Sequence, residues 1–374
     1  MFSRKAIVVG AGIAGLAMAR ALSRKGYQVT VIDRSDKAVG ASVRNFGMVW
    51  PIGQPSGELY EAAIRSREIW KEFGSSSGVF YEEAGSLHLS YHDDETAVLE
   101  ELFELYGKER QLSILTPQMV VEKSGAVVGK GLQKGLFSPN ELIVDPRESI
   151  RELPAYLQSG FGVEFIWNEL VLGVDDQTVY TTQQEFEADV VMVCSGADIE
   201  LLFPEVFLDY PVTRCKLQMM RMESQPDNWR IGPALCGGLS LIHYNSFKAA
   251  ASLPALKNRY IAEMEDYLKW GIHVMVSQNG NGELTVGDSH EYGNTFDPFD
   301  KDHINRMILD YLSGFAKFRN EKITETWHGV YAKLTNGDAW LFSNPQDGVY
   351  LFNGLGGAGM TLSFGLSEKL VDGI

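Results

Sequence analysis

The chain lacks several features that would settle its class at once. Of 374 residues only three are cysteine, Cys194, Cys215 and Cys236. They are too widely spaced for a Cys-x-x-Cys pair, so neither a dithiol redox centre nor a metal site is expected. A reducing cytoplasm suits them, and the expected compartment is cytoplasmic. No stretch approaches the ~20 apolar residues that span a bilayer, so no membrane segment is expected. Positive charge is also scarce, with 33 Lys and Arg against 49 Asp and Glu for a formal net charge of −16. Such a surface repels phosphate backbones and anionic lipid, which argues against nucleic-acid and membrane partners. Any site for an anionic ligand must therefore concentrate positive charge locally. Internal repeats, low-complexity linkers and a Ser-His-Asp pattern are absent as well.

What is present reads as an enzyme-sized globular chain, 45% hydrophobic and 22% charged, able to bury one large core or two coupled lobes. Arg4 and Lys5 before the apolar run 6–19 superficially copy a signal peptide, but three glycines at dinucleotide-loop spacing inside that run argue otherwise. Residues 6–9 form a short apolar strand, 15–25 have helical composition ending at Gly26, and 28–32 form a second strand. Helical spacing predicts further helices over 58–73, 95–106, 256–270 and 302–315, and strands fit 163–167, 189–194, 271–277, 283–286 and 349–352. Asp145 and Pro146 open another helix as N-cap and first helical residue. Short strands continue to Gly196, and a long central section interrupts them. The expected fold is α/β, a Rossmann-like dinucleotide-binding domain with an inserted α+β substrate domain containing a mixed or antiparallel sheet. The expected bounds are 1–75, 140–210 and 320–374 for the first, and 76–139 and 211–319 for the second.

Gly10-Ala11-Gly12-Ile13-Ala14-Gly15 is a G-x-G-x-x-G directly after a strand and opening a helix, with Asp33 at the end of the next strand. Gly10 permits the tight turn, Gly12 lets the backbone approach a pyrophosphate, and Gly15 lets helix and strand pack closely. Asp33 suits a ribose hydroxyl and disfavours a phosphate there, which argues against NADP. This pattern does not choose between FAD and NAD.

Two further glycine segments narrow that choice. They are Gly40-Ala41-Ser42-Val43-Arg44-Asn45-Phe46-Gly47 and Asn353-Gly354-Leu355-Gly356-Gly357-Ala358-Gly359-Met360-Thr361. With Val144-Asp145-Pro146, Ala188-Asp189 through Cys194-Ser195-Gly196-Ala197, and Trp327-His328-Gly329-Val330-Tyr331, they resemble the glycine oxidase, sarcosine oxidase and D-amino acid oxidase superfamily over nearly the whole chain. The resemblance implies FAD, with Ala41, Ser42, Arg44, Asn45, Phe46 and Gly47 beside the pyrophosphate and flavin. Val171 would touch the adenine, and the loop from Gly356 to Thr361 would face the flavin pyrimidine. Arg34, Ser195, Gly196 and Gly329 complete the expected cofactor set. The implied chemistry is hydride transfer from the carbon beside an amine to flavin N5, the resulting imine being hydrolysed.

The chain departs from these relatives at four places. Tyr331 stands where several amino acid oxidases carry an arginine that clamps the substrate carboxylate. Thr361 stands where monomeric sarcosine oxidase has a lysine that assists it. Gly329 stands roughly where that enzyme's flavin-anchoring cysteine lies, which implies non-covalent FAD. Thr285 falls near its oxygen-activating lysine, so oxygen or another acceptor takes the electrons. The segments 214–219 and 239–247 resemble a subgroup associated with phosphonate catabolism, implying substrates of the 2-aminoethylphosphonate type. Candidate anion-binding or catalytic groups are Tyr331, Arg44, His243, Tyr244 and Lys216, with His273 and Lys333 beside them. Each has an ordinary alternative: flavin positioning for Arg44, a solvated edge for Lys216, a hydrogen-bonded pair for His243 and Tyr244. The expected partners are a small anionic amine and an electron acceptor. An NAD-dependent dehydrogenase and a non-catalytic flavin-binding protein are the competing readings.

Overall fold

The computed structural model describes residues 4–374. Its first sheet has six strands in the order Leu341–Gln346, Val349–Asn353, Val190–Val193, Lys5–Val9, Gln28–Asp33 and Glu164–Trp167. Every neighbouring pair is parallel except the terminal hairpin. Burial of both its faces explains why this central strand is apolar from Ala6 to Val9. Ala6 and Val8 join one buried cluster with the helices Ile13–Arg24, Glu58–Ser77, Pro146–Phe161 and Gly359–Val371. Ile7 and Val9 join another on the opposite face. That face carries the three-stranded antiparallel sheet Val171–Asp175, Thr178–Thr181 and Glu185–Glu187. Asp145 caps its helix as expected, accepting from the amides of Arg147 and Glu148.

The second sheet has nine strands and is mixed. Its long members, Val212–Met222 and Ile323–Leu334, pair antiparallel along most of their lengths. Ser86–Ser90 and Ala234–Cys236 supply one parallel pair. Residues 323–334 therefore lie in the second sheet, although the expected bounds place them with the nucleotide domain. Their pairing partner is a strand about a hundred residues upstream, a contact that local patterning does not reveal.

Two elements differ from the sequence reading. The single helix over 256–270 is two, Leu253–Glu263 and Glu265–Lys269, broken where Met264 leaves helical geometry at φ −132° and ψ 36°. The strand expected from 271 begins only at Met275. Before it, Gly271 has φ +55° and the backbones of His273 and Asp288 exchange two hydrogen bonds. That irregular stretch turns side chains into the cavity.

Candidate active site

The glycine loop after the first strand is shaped by contacts that exclude a side chain. Gly10 has φ +101°, and a Cβ on it would sit 2.5 Å from the Cys194 carbonyl oxygen; one on Gly15 would sit 1.8 Å from the Gly10 oxygen. The Asp33 carboxylate accepts from the Ala11 amide at 2.7 Å and from the Ser35 amide at 2.9 Å, tying loop to strand end. Ser42 accepts from the Ile13 amide at 2.9 Å, which brings the 40–47 segment against the helix N-terminus. Backbone donors and the positive end of the helix dipole thus face the space that a pyrophosphate would fill.

The second glycine segment enters the helix Gly359–Val371 through the short turn Gly356–Ala358, and no side chain caps it. Its first amides are left for a ligand. The loop is held from behind: Trp50 donates its amide to the Thr361 hydroxyl at 2.9 Å, and the Trp70 indole donates to the Met360 carbonyl at 2.8 Å. The strap 44–50 also reaches the second sheet. Ser277 donates to the Phe46 carbonyl at 2.8 Å, and Arg44 donates to the His328 carbonyl at 3.1 Å. The Asn45 amide closes the strap on the Ala41 and Ser42 carbonyls.

One cavity of about 860 Å³ runs past both loops. Its lining includes Gly10, Gly12, Ile13, Ala14, Asp33, Arg34, Ala41, Ser42, Arg44, Asn45 and Phe46. Val171, Ser195, Gly196 and Gly329 also line it, as do Gly356, Gly357, Ala358, Gly359, Met360 and Thr361. Gly15 and Gly47 stand behind the wall. A Cβ on Gly47 would meet the Val144 oxygen at 2.0 Å, so its role is close packing. Arg34 pairs with Asp198 at 2.9 Å near the outer rim. The glycines, uncapped helix ends and open volume fit an extended dinucleotide.

The far end of the cavity is made of side chains from separated stretches of chain. Tyr331, Lys333, His243, Tyr244, His273, Asp288, His290 and Tyr292 all line it. The Lys333 ammonium is 3.3 Å from the Tyr292 hydroxyl, and Tyr244 donates to the Met275 sulfur at 3.1 Å. Burial raises the Tyr331 and Tyr244 phenols well above their usual range, so both remain protonated donors. Burial lowers the Lys333 ammonium. It also holds His243 and His273 well below the ordinary histidine value, His290 at about 4, and the Asp288 carboxyl well above the ordinary range.

Lys216 is a correction. Thr213, Leu217 and Met219 of its strand face the cavity, so alternation directs Lys216 to the other side of the sheet. There it is buried, donating to the Asp297 carbonyl at 2.9 Å and the Phe299 carbonyl at 3.2 Å, with the Asp300 carboxylate at 3.0 Å. It fastens a loop and does not reach the cavity. Sequence reading missed Asp288 and His290. The available signal was their spacing of two in an extended segment, which places both side chains on one face.

A family model described as FAD dependent oxidoreductase matches residues 5–372. The chain belongs to this family. Its cofactor is accordingly FAD, for which the two glycine loops and the cavity between them are shaped. Among solved structures, the FAD-dependent oxidoreductase is similar in fold to glycine oxidase from Bacillus cereus ATCC 14579, at 17% identity, with 99% of this chain and 94% of that chain covered and a TM-score of 0.78. L-proline dehydrogenase from P. horikoshii gives 20% identity, the same coverages and the same TM-score of 0.78. The bifunctional tRNA-modification protein MnmC of Pseudomonas syringae pv. syringae (strain B728a) is 27% identical over 252 residues, 62% of this chain, and the match spans about a third (35%) of that protein's length. D-amino acid dehydrogenase of Vibrio atlanticus (strain LGP32) is 25% identical over 268 residues, covering 55% of this chain and 64% of that one. No helix among the described residues is long and apolar enough to cross a membrane.

Proposed function

We propose that the enzyme oxidises a C–N bond of a small anionic amine, the class spanning amino acids, N-alkyl amino acids and aminophosphonates. The observation that carries this reading is the single cavity joining the dinucleotide cradle to an end lined by Lys333, Tyr331 and the histidines. Glycine, proline and D-amino acids, in the names of its relatives, belong to the same substrate class. When bound, FAD supplies the hydride acceptor. The chain's own residues then need to orient the amine, hold its anionic end and exclude water. Lys333 offers the positive charge that Tyr331 lacks, and the Tyr331 and Tyr292 hydroxyls offer neutral donors alongside it. A phosphonate, with more charge and a tetrahedral oxygen set, suits several such donors better than one planar arginine fork does, which supports the aminophosphonate reading within the class.

FAD is proposed to be held without a covalent bond. Gly329 faces the Arg44 backbone, and the three cysteines are buried, the Cys215 thiol being pushed up to about 12 by burial. The electron acceptor is oxygen or another oxidant. Thr285 stands near the position of an oxygen-activating lysine, and its hydroxyl accepts from Arg221 at 3.4 Å.

The test is anaerobic reduction of the purified yellow protein with amino acids, N-methyl amino acids and 2-aminoethylphosphonate derivatives, followed by reoxidation with oxygen or a dye. Bleaching by one class and release of the corresponding carbonyl supports the proposal. A bound flavin that no amine reduces refutes it and leaves a non-catalytic flavin-binding protein.

A further inference from the structure

We infer that His243, His273, His290 and Asp288 form a binding site for a divalent transition-metal ion at the side-chain end of the cavity. The four groups come from three separate stretches of chain, and one ligand nitrogen from each imidazole lies within 4.8 Å of the other two. The Asp288 carboxylate lies beside two of them, Oδ1 at 3.2 Å from His273 Nε2 and Oδ2 at 3.9 Å from His290 Nε2.

The hydrogen-bond pattern leaves ligand atoms free. His290 Nδ1 is 3.0 Å from the Gly271 carbonyl oxygen. A carbonyl only accepts, so Nδ1 carries the hydrogen and Nε2 keeps a lone pair available to an ion. Metal-bound histidines adopt this arrangement, with the second ring nitrogen donating to a backbone carbonyl that fixes tautomer and tilt. Two more polar atoms of the cluster, His273 Nδ1 and Asp288 Oδ1, are buried without a hydrogen-bond partner. Both residues are only 4% exposed, and both line the cavity.

The donor set selects the ion. Three imidazoles and one carboxylate suit zinc, cobalt, nickel or copper and are poor ligands for calcium or magnesium, which take oxygen. Bonds of about 2.1 Å to a tetrahedral ion place neighbouring donors about 3.4 Å apart. The cluster therefore contracts on binding. His243 moves most: it is half-buried, follows the short turn Gly238–Ile242, and its ring centre is 3.7 Å from that of His273. The two rings, tilted by 37°, must separate to point at one ion. Lys333 and Lys248, the nearby cations, oppose the ion's charge, and Lys333 is turned to the Tyr292 hydroxyl. The metal site does not depend on amine oxidation being the activity.

The experiment uses the full chain purified with its flavin and without chelators. Metal content is read by plasma mass spectrometry, and affinity by competition for Zn²⁺ with a chromophoric chelator. About one ion per chain is expected, and His243→Ala and Asp288→Asn should each weaken Zn²⁺ binding by at least about tenfold while the flavin spectrum and melting temperature stay near those of the parent. His243 is half-buried, so its replacement tests the site without the loss of packing that His273→Ala would bring. A wild-type chain that takes up no Zn²⁺, Co²⁺, Ni²⁺ or Cu²⁺ overturns the inference. So does Zn²⁺ binding that both variants retain at parental affinity.

Discussion

At its dinucleotide end the cavity is walled by backbone: Gly10, Gly12 and the uncapped turn from Gly356 to Gly359 line it, and the bare Cα atoms of the glycines keep the space open. At its other end it is walled by side chains, with Lys333, three histidines, Asp288 and three tyrosines arriving from segments far apart in sequence. A backbone cradle needs contiguous glycines and a helix start, and tolerates almost nothing else. A side-chain wall needs particular groups at particular registers and can be rebuilt one residue at a time. One end is therefore fixed by the chain's own fold, whereas the other is set by a few side chains.

The sharpest way to break the comparison is at the glycines. Gly15→Ala drives a Cβ to within 1.8 Å of the Gly10 oxygen, a backbone clash that should cost about 2–3 kcal/mol of stability and release the flavin. A yellow protein with parental flavin content after that substitution would show that the loop is less constrained than its geometry requires. At the side-chain end, Lys333→Met should leave flavin content unchanged while raising KM for the anionic amine by about tenfold or more, the worth of one charge-assisted contact. Tyr331→Phe should do the same by about threefold. Steady-state kinetics on both variants, set against flavin absorbance, separate the two ends.

Acid should also distinguish them. His88 lies in the second sheet between Trp50 and Phe247, with neither ring nitrogen bonded, and burial lowers it to about 3. Below its ordinary value of about 6.5 the unfolded chain takes up a proton that the fold refuses. The stability present above pH 6.5 is thus lost as pH falls toward 3, by about 2 kcal/mol between 6.5 and 5. Urea unfolding of His88→Leu at pH 7 and pH 5 should show that much less acid sensitivity than the parent. The smallest effect is expected at Thr361→Val, which removes the acceptor of the Trp50 amide and should cost about 1 kcal/mol in the same assay.

The comparison also explains what could be read in advance. The first β-α-β unit, both glycine loops and the helix capped by Asp145 are local, each specified by a few consecutive residues. The register of Ile323–Leu334 on Val212–Met222 is set by pairing across about a hundred residues, and nothing local announces it. Lys216 shows a subtler failure. Its charge suggested a ligand contact, yet strand alternation beside Leu217 and Met219 would have turned it to the opposite face. His243 and His273 were singled out separately, but their meeting with Asp288 and His290 depends on the irregular backbone around Gly271, which broke the expected strand.

The strap 44–50 is bonded on one side to Thr361 in the helix of the nucleotide lobe and on the other to Ser277 and His328 in the second sheet. Heat should then not melt one lobe ahead of the other. A differential scanning calorimeter should record a single endotherm whose van't Hoff and calorimetric enthalpies agree, and removing FAD should shift that endotherm as a whole instead of splitting it.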